Sequence, residues 1–166
     1  MNRRTLFLGA SALAALAACG DSSKFLSYSG PQVTQIQVFK GKRMMYLLHG
    51  DTVLESYKIS LGGDPIGPKH FEGDGKTPEG LYYINRRNPN SAYYLSIGIS
   101  YPNPQQVAYA AAQGKKAGGD IFLHGRDGKN KGRGRDWTAG CIAVKDKEIR
   151  EIYAMVRENT PIFIFP

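Results

Sequence analysis

Apolar and polar positions alternate along most of the chain from residue 33 onward. In VTQIQVF, Val33, Ile36 and Val38 stand among polar neighbours, close to the two-residue period of a half-buried strand. RMMYLLHGDTVLESYKIS reads as a hairpin: a strand to His49, a turn at Gly50 and Asp51, and a return strand through Tyr57 and Ile59. Residues 61–80, LGGDPIGPKHFEGDGKTPEG, are too rich in Gly and Pro for a regular element. A loop of that length inside a compact domain usually carries function. LYYIN and AYYLSIGIS resume strand character, NPQQVAYAAAQG predicts a short helix ending at Gly114, IFLH a buried strand ending at His124, and CIAV another short strand. The period then changes. Ile149, Ile152, Tyr153 and Val156 share one helical face, with Asp146 as N-cap and Asn159 and Pro161 as stop signals, before PIFIFP closes the chain as a strand. The pattern predicts a mostly β domain with about two helices.

The first residues follow a different pattern. MNRRTLFLGASALAALAAC has a basic start at Arg3 and Arg4, an apolar run from Leu6, and small residues up to Cys19. Residues 1–18 therefore read as a signal peptide, too short and Ala-rich for a membrane span. Leu16 to Cys19, LAAC, resembles the bacterial lipobox, in which the Cys is lipidated and becomes the new N-terminus. RRTLF also has the look of a twin-arginine export signal, although the general export route accepts it equally. Residues 19–32 are then a lipidated Cys and a polar tether, and 33–166 the folded domain. The expected location is exported, periplasm-facing and anchored to a bacterial membrane through the N-terminal lipid.

Composition adds charge and redox context. The chain has 166 residues, enough for one domain with a core. Loss of Arg3 and Arg4 lowers the formal charge from +8 to +6. A basic exported domain meets anionic lipid or an acidic wall polymer more readily than nucleic acid, and no paired aromatic platform for nucleic acid is present. There are two Cys. With Cys19 lipidated, Cys141 has no disulfide partner, and a lone thiol in an oxidising compartment must be buried or used.

Two segments carry candidate chemistry. His124 ends an apolar strand just before Gly125, and Cys141 begins another just after Gly140. If the strands are neighbours, the imidazole can deprotonate the thiol and later protonate a leaving amine, making Cys141 a nucleophile. The N–H groups of Gly140 and Cys141 are then candidates for an oxyanion hole. Each residue also has a plain structural role open to it, as a small buried hydrophobe or a strand-end His.

His124-Gly125, followed by Thr138-Ala139-Gly140-Cys141-Ile142, resembles the motif of the L,D-transpeptidase (YkuD-type) catalytic domain. SLG at Ser60 to Gly62 and KTPEG at Lys76 to Gly80 match the family's upstream segments, so the resemblance spans about residues 33–166. FEGDGKTPEG, RRNPNS, ISYPNP and DWTAGCIAV resemble the YafK-type subgroup. The resemblance implies a mixed-sheet, β-sandwich-like catalytic domain acting on peptidoglycan stem peptides without a cofactor. Cys141 is implied as nucleophile, His124 as proton donor and acceptor, and the Gly125 carbonyl as the group orienting His124. Carbapenem-type inhibitors would acylate Cys141. Many members carry His at the position of Ala139 and Arg at that of Ala143, which leaves substrate clamping open. So does the acceptor: an amine makes a transferase. Water makes a hydrolase that cuts cross-links, or links between peptidoglycan and a wall-linked lipoprotein. A non-catalytic wall-binding lipoprotein is the rival of another class, and the intact His124 and Cys141 argue against it.

The remaining candidates concern substrate. Trp137 suits a cleft wall, Tyr101 a position near the oxyanion hole, and Thr138 a place beside the nucleophile. Arg126, in the basic loop RDGKNKGRGRD, is placed to attract stem-peptide carboxylates. Glu72, Asp74 and Glu79 do not have EF-hand spacing, and His49, His70 and His124 show no zinc-type pairing, so no metal is expected.

Overall fold

Strand alternation organises the chain around one mixed sheet. The computed structural model describes residues 23–128 and 134–166. Cys19 and part of the basic loop lie outside the described residues. The elements are β1 (Gln35–Phe39), β2 (Met44–His49), β3 (Thr52–Lys58), β4 (Gly80–Asn88), β5 (Ser96–Ile99), α1 (Pro104–Ala112), β6 (Phe122–His124), β7 (Ile142–Ala143), α2 (Asp146–Met155) and β8 (Pro161–Phe165). The strands follow the order β3-β2-β1-β8-β4-β5-β6-β7. β1 and β8 run parallel, as do β6 and β7; the other neighbours are antiparallel.

β4 is the hinge of this sheet. Gly80 to Tyr83 pair with β8, whereas Ile84 to Asn88 pair with β5, and the register shifts between Ile84 and Arg86. A bulge there bends the strand and re-aims its second half. One end of the sheet thus carries the hairpin, and the other carries β5, β6 and β7, which hold His124 and Cys141.

The core follows the alternation. Ile36 and Val38 of β1, Met45 and Leu47 of β2, Tyr82 and Ile84 of β4, and Ile162 and Ile164 of β8 are all buried. Burying each such aliphatic side chain contributes roughly 1.5–3 kcal/mol. Ile149, Ile152 and Tyr153 cover this core from α2, as the helical period predicts. Asp146 is not that helix's N-cap; Lys145 is, and Asp146 is its first residue. Its carboxylate instead accepts hydrogen bonds from the Arg126 and Asp127 N–H groups at 2.6 and 3.0 Å, pinning the chain just after His124.

Residues 61–79 form no strand, as their composition predicts, and Gly80 opens β4; two buried lysines fix the loop. Lys40 Nζ donates to Gly67 O, Thr77 O and Glu79 Oε1, at 2.6, 2.9 and 2.8 Å. Lys69 Nζ donates to Phe71 O and Asp74 Oδ1, both at 2.8 Å. Ahead of the sheet, Ser23 O accepts from Arg150 on α2 at 2.6 Å. Among the described residues no helix is long and apolar enough to cross a membrane.

Candidate active site

His124 is the last residue of β6, and Cys141 directly precedes β7. The two strands lie side by side, Leu123 against Ile142 and His124 against Ala143. That register brings His124 and Cys141 to one cavity of about 300 Å³, walled also by Tyr93, Ser96, Asp120 and Phe122.

His124 is held on several sides. Its Nδ1 lies 2.6 Å from Gly125 O. A carbonyl only accepts, so Nδ1 carries the proton and Nε2 is left as the basic nitrogen. Tyr93 packs on the imidazole with ring centroids 4.5 Å apart, and Trp137 meets it edge-on at 5.8 Å. Burial pushes the His124 pKa down; the Gly125 carbonyl opposes this and the Arg126 charge adds to it. Only Gly fits at position 125, because a Cβ there would stand 2.6 Å from Asp146 Oδ1 and 2.8 Å from Tyr93 O.

Cys141 is half-buried. Its Sγ accepts from the Phe122 N–H at 3.4 Å and donates to Asp120 O at 3.5 Å, and neither contact is to the imidazole. Burial pushes the thiol pKa up, and the Phe122 N–H partly counters it. Both shifts favour a neutral thiol beside a neutral imidazole over a resting ion pair. Cys141 also borders a second cavity of about 280 Å³, with Lys69, Glu72, Asp120 and Ala139 in its walls. The sulfur therefore stands between two recesses.

A short turn presents the sulfur. Thr138 Oγ1 donates to Cys141 O at 2.7 Å and accepts from the Gly140 N–H at 3.1 Å. Gly140 has φ +136°, and a Cβ on it would stand 2.6 Å from Lys76 O. The turn is tied to the 61–80 loop by the Gly62–Thr138 bridge. Asp136 secures its start, accepting from Leu61 N at 3.0 Å and ion-pairing with Arg43 at 2.7 Å.

The structure sorts the remaining sequence candidates. Trp137 lies beside His124 and Tyr93 but is not among the residues that line the catalytic cavity. Thr138 is buried inside the turn, where its hydroxyl is occupied with the backbone. The Gly140 N–H is likewise engaged by Thr138, so the oxyanion hole expected from two N–H groups loses that donor to the turn. Tyr101 is not at the cavity: it is buried against Tyr82, and its hydroxyl donates to Ala117 O at 3.0 Å. Its apolar ring fills core, which the SYP context did not reveal. Arg126 turns away from Cys141 and lines a different, cation-rich pocket with Ser60. Tyr93, Ser96, Asp120 and Phe122 border the nucleophile and were not singled out from the sequence. They come from two separate segments, 93–96 and 120–122, and the β5–β6 pairing of Ser96 with His124 assembles them.

The chain belongs to the L,D-transpeptidase catalytic domain family, YkuD, whose profile matches residues 34–164. It is 36% identical over 128 residues to YafK of Escherichia coli (strain K12), itself described only provisionally as an L,D-transpeptidase; the match covers 73% of this chain and 46% of that protein. Among solved structures, the helical cell shape determining protein Pgp2 from Campylobacter jejuni is 26% identical with a TM-score of 0.63, covering 87% of this chain and 51% of that one. Bd1075 of Bdellovibrio bacteriovorus, 24% identical with a TM-score of 0.57 over 81% of this chain and 48% of that one, shares the fold. The chain spans about half the length of these relatives.

Proposed function

We propose that residues 33–166 catalyse cysteine-dependent acyl transfer on peptidoglycan stem peptides. The observation that carries this reading is a single cavity holding the Cys141 thiol and an imidazole whose tautomer Gly125 O fixes. His124 Nε2 takes the thiol proton as Cys141 Sγ attacks the carbonyl joining an L-centre to a D-residue. The Cys141 N–H stabilises the oxyanion. Collapse breaks the C–N bond, His124 returns the proton to the leaving amine, and a thioester remains. An acceptor amine or water then attacks the thioester carbonyl as His124 takes its proton; the C–S bond breaks, and His124 passes the proton to the departing Cys141 thiolate. Membership of the L,D-transpeptidase family supports the reading, as does the cell-shape role named for Pgp2.

Purified protein incubated with muropeptides and a free D-amino acid tests it. Exchanged or cross-linked products are expected. Shortened products alone would place water as the acceptor and make the protein a hydrolase of cross-links or of links to a wall-bound lipoprotein. No change in the muropeptides would defeat the reading.

The same proposal places the protein outside the cytoplasm, with residues 1–18 removed and Cys19 lipidated. Cys19→Ala is expected to release it from the membrane fraction; unchanged sedimentation would contradict the anchor.

A further inference from the structure

A third pocket, of about 360 Å³, opens on the far side of β7 from the catalytic cavity. Six of its nine lining residues are cationic: Lys42, Arg43, Lys58, Arg126, Arg135 and Lys145. None is acidic. Asp136 neutralises Arg43, and Glu148 stands 3.4 Å from Lys145. Lys42, Lys58, Arg126 and Arg135 have no ion pair among the described residues. Arg126 also has its Nε buried without a hydrogen-bond partner. A buried donor left unpaired is destabilising, and clustered cations repel each other. Both are relieved by a bound anion.

The pocket is coupled to the nucleophile by the sheet itself. His124 pairs with Ala143, and Ala143 pairs with Ser60 through two 2.8 Å hydrogen bonds. Paired residues project on the same face, so His124, Ala143 and Ser60 form a row. Two strand spacings make it about 10 Å long. Ser60 lines the cationic pocket and His124 the catalytic one. Arg126 bridges the ends: its guanidinium donates to Ser60 Oγ at 3.4 Å, while its charge is felt at His124. An extended peptide covers about 10 Å in three residues. Ala143, between them, is fully buried, so the row sets the spacing of the two pockets and is not itself the peptide's track.

We propose that this pocket is a carboxylate-binding subsite that holds the free acidic groups of the peptide whose carbonyl is presented to Cys141. The inference rests on the acyl-transfer reading above. Arg126 and Arg135 supply planar, forked donors suited to carboxylates, and Lys58 adds a point charge. The chain thereby clamps its substrate from beyond the β7 edge.

Binding is measured by calorimetry on Cys141→Ala protein, which cannot turn over. One probe is a stem tetrapeptide with free carboxylates, and the other is the same peptide with its carboxylates amidated. Amidation is expected to weaken binding at least about tenfold, and the double variant Lys58→Gln, Arg135→Gln to weaken the free-carboxylate peptide similarly. The double variant should change the amidated peptide less than about twofold, which also reports that it is folded. Equal affinity of the two peptides for the parent protein would overturn the proposal. So would inorganic phosphate displacing the free peptide with an affinity matching it, which would reassign the pocket to phosphoryl groups. Carbapenem acylation of the wild type is run in parallel. Its absence would remove the acyl-transfer reading, whereas acylation with equal peptide affinities would remove the subsite alone.

Discussion

The imidazole of His124 is fixed by its own neighbour: Nδ1 sits 2.6 Å from Gly125 O, within a shell of Tyr93 and Trp137. Burial moves His124 down and Cys141 up, so the two pKa values separate in the sense that disfavours a resting thiolate–imidazolium pair. The pair is poised to ionise when a substrate carbonyl receives the charge.

This predicts the pH profile of Cys141 alkylation by iodoacetamide. The rate should climb through a midpoint above the ordinary thiol value, with no plateau near neutrality. A step near neutral pH that vanishes in His124→Ala would mean that the resting thiol is already ionised, contradicting the account.

Gly140→Ala tests the turn. The substitution forces a side chain into φ +136° and against Lys76 O. A loss of about 1–3 kcal/mol is expected in denaturant unfolding. Stability unchanged within error would show that the turn relaxes freely.

Thr138 separates a structural from a substrate role. Its hydroxyl serves two backbone groups of the turn. Thr138→Val should cost about 1–3 kcal/mol by stranding them, and Thr138→Ser should restore most of it. A Val variant as stable as wild type would return Thr138 to the substrate side.

Much of this architecture is legible in the chain, and the exceptions have physical causes. Alternation in β1 and β2 and the 3.6-residue period of α2 are local signals, so they emerge directly. The pairing of β6 with β7 is long-range, and only the glycines beside His124 and Cys141 hint at it. Tyr93 and Asp120 carry no local signature; their place at the cavity depends on the bend in β4 and on the β5 register. Lys40 reads as a surface residue, because nothing in its neighbourhood announces three acceptors, two of them from residues 77 and 79. Arg126 is adjacent to the His-Gly pair in sequence, yet the grip of Asp146 on its N–H directs the side chain toward Ser60.

Asp74 gives the loop a pH signature. Burial raises its pKa, but Lys69 and the N–H groups of Phe71, Lys76 and His70 outweigh that and bring it down to about 2. A depressed carboxyl contributes stability that is complete above its unfolded pKa and disappears as pH falls through the folded value. The shift from 3.8 corresponds to about 2 kcal/mol, lost between roughly pH 5 and pH 1. Asp74→Asn should remove that part of the acid dependence of unfolding. An identical pH slope in the variant and the wild type would refute it.

The central claim is that Cys141 is a nucleophile served by His124. Intact-protein mass spectrometry after exposure to a carbapenem tests it most directly. The account predicts one covalent adduct on wild type, mapped to the peptide containing Cys141, absent from Cys141→Ala and slowed by at least about a hundredfold in His124→Ala. No adduct on folded wild type, or the same adduct on Cys141→Ala, would contradict it.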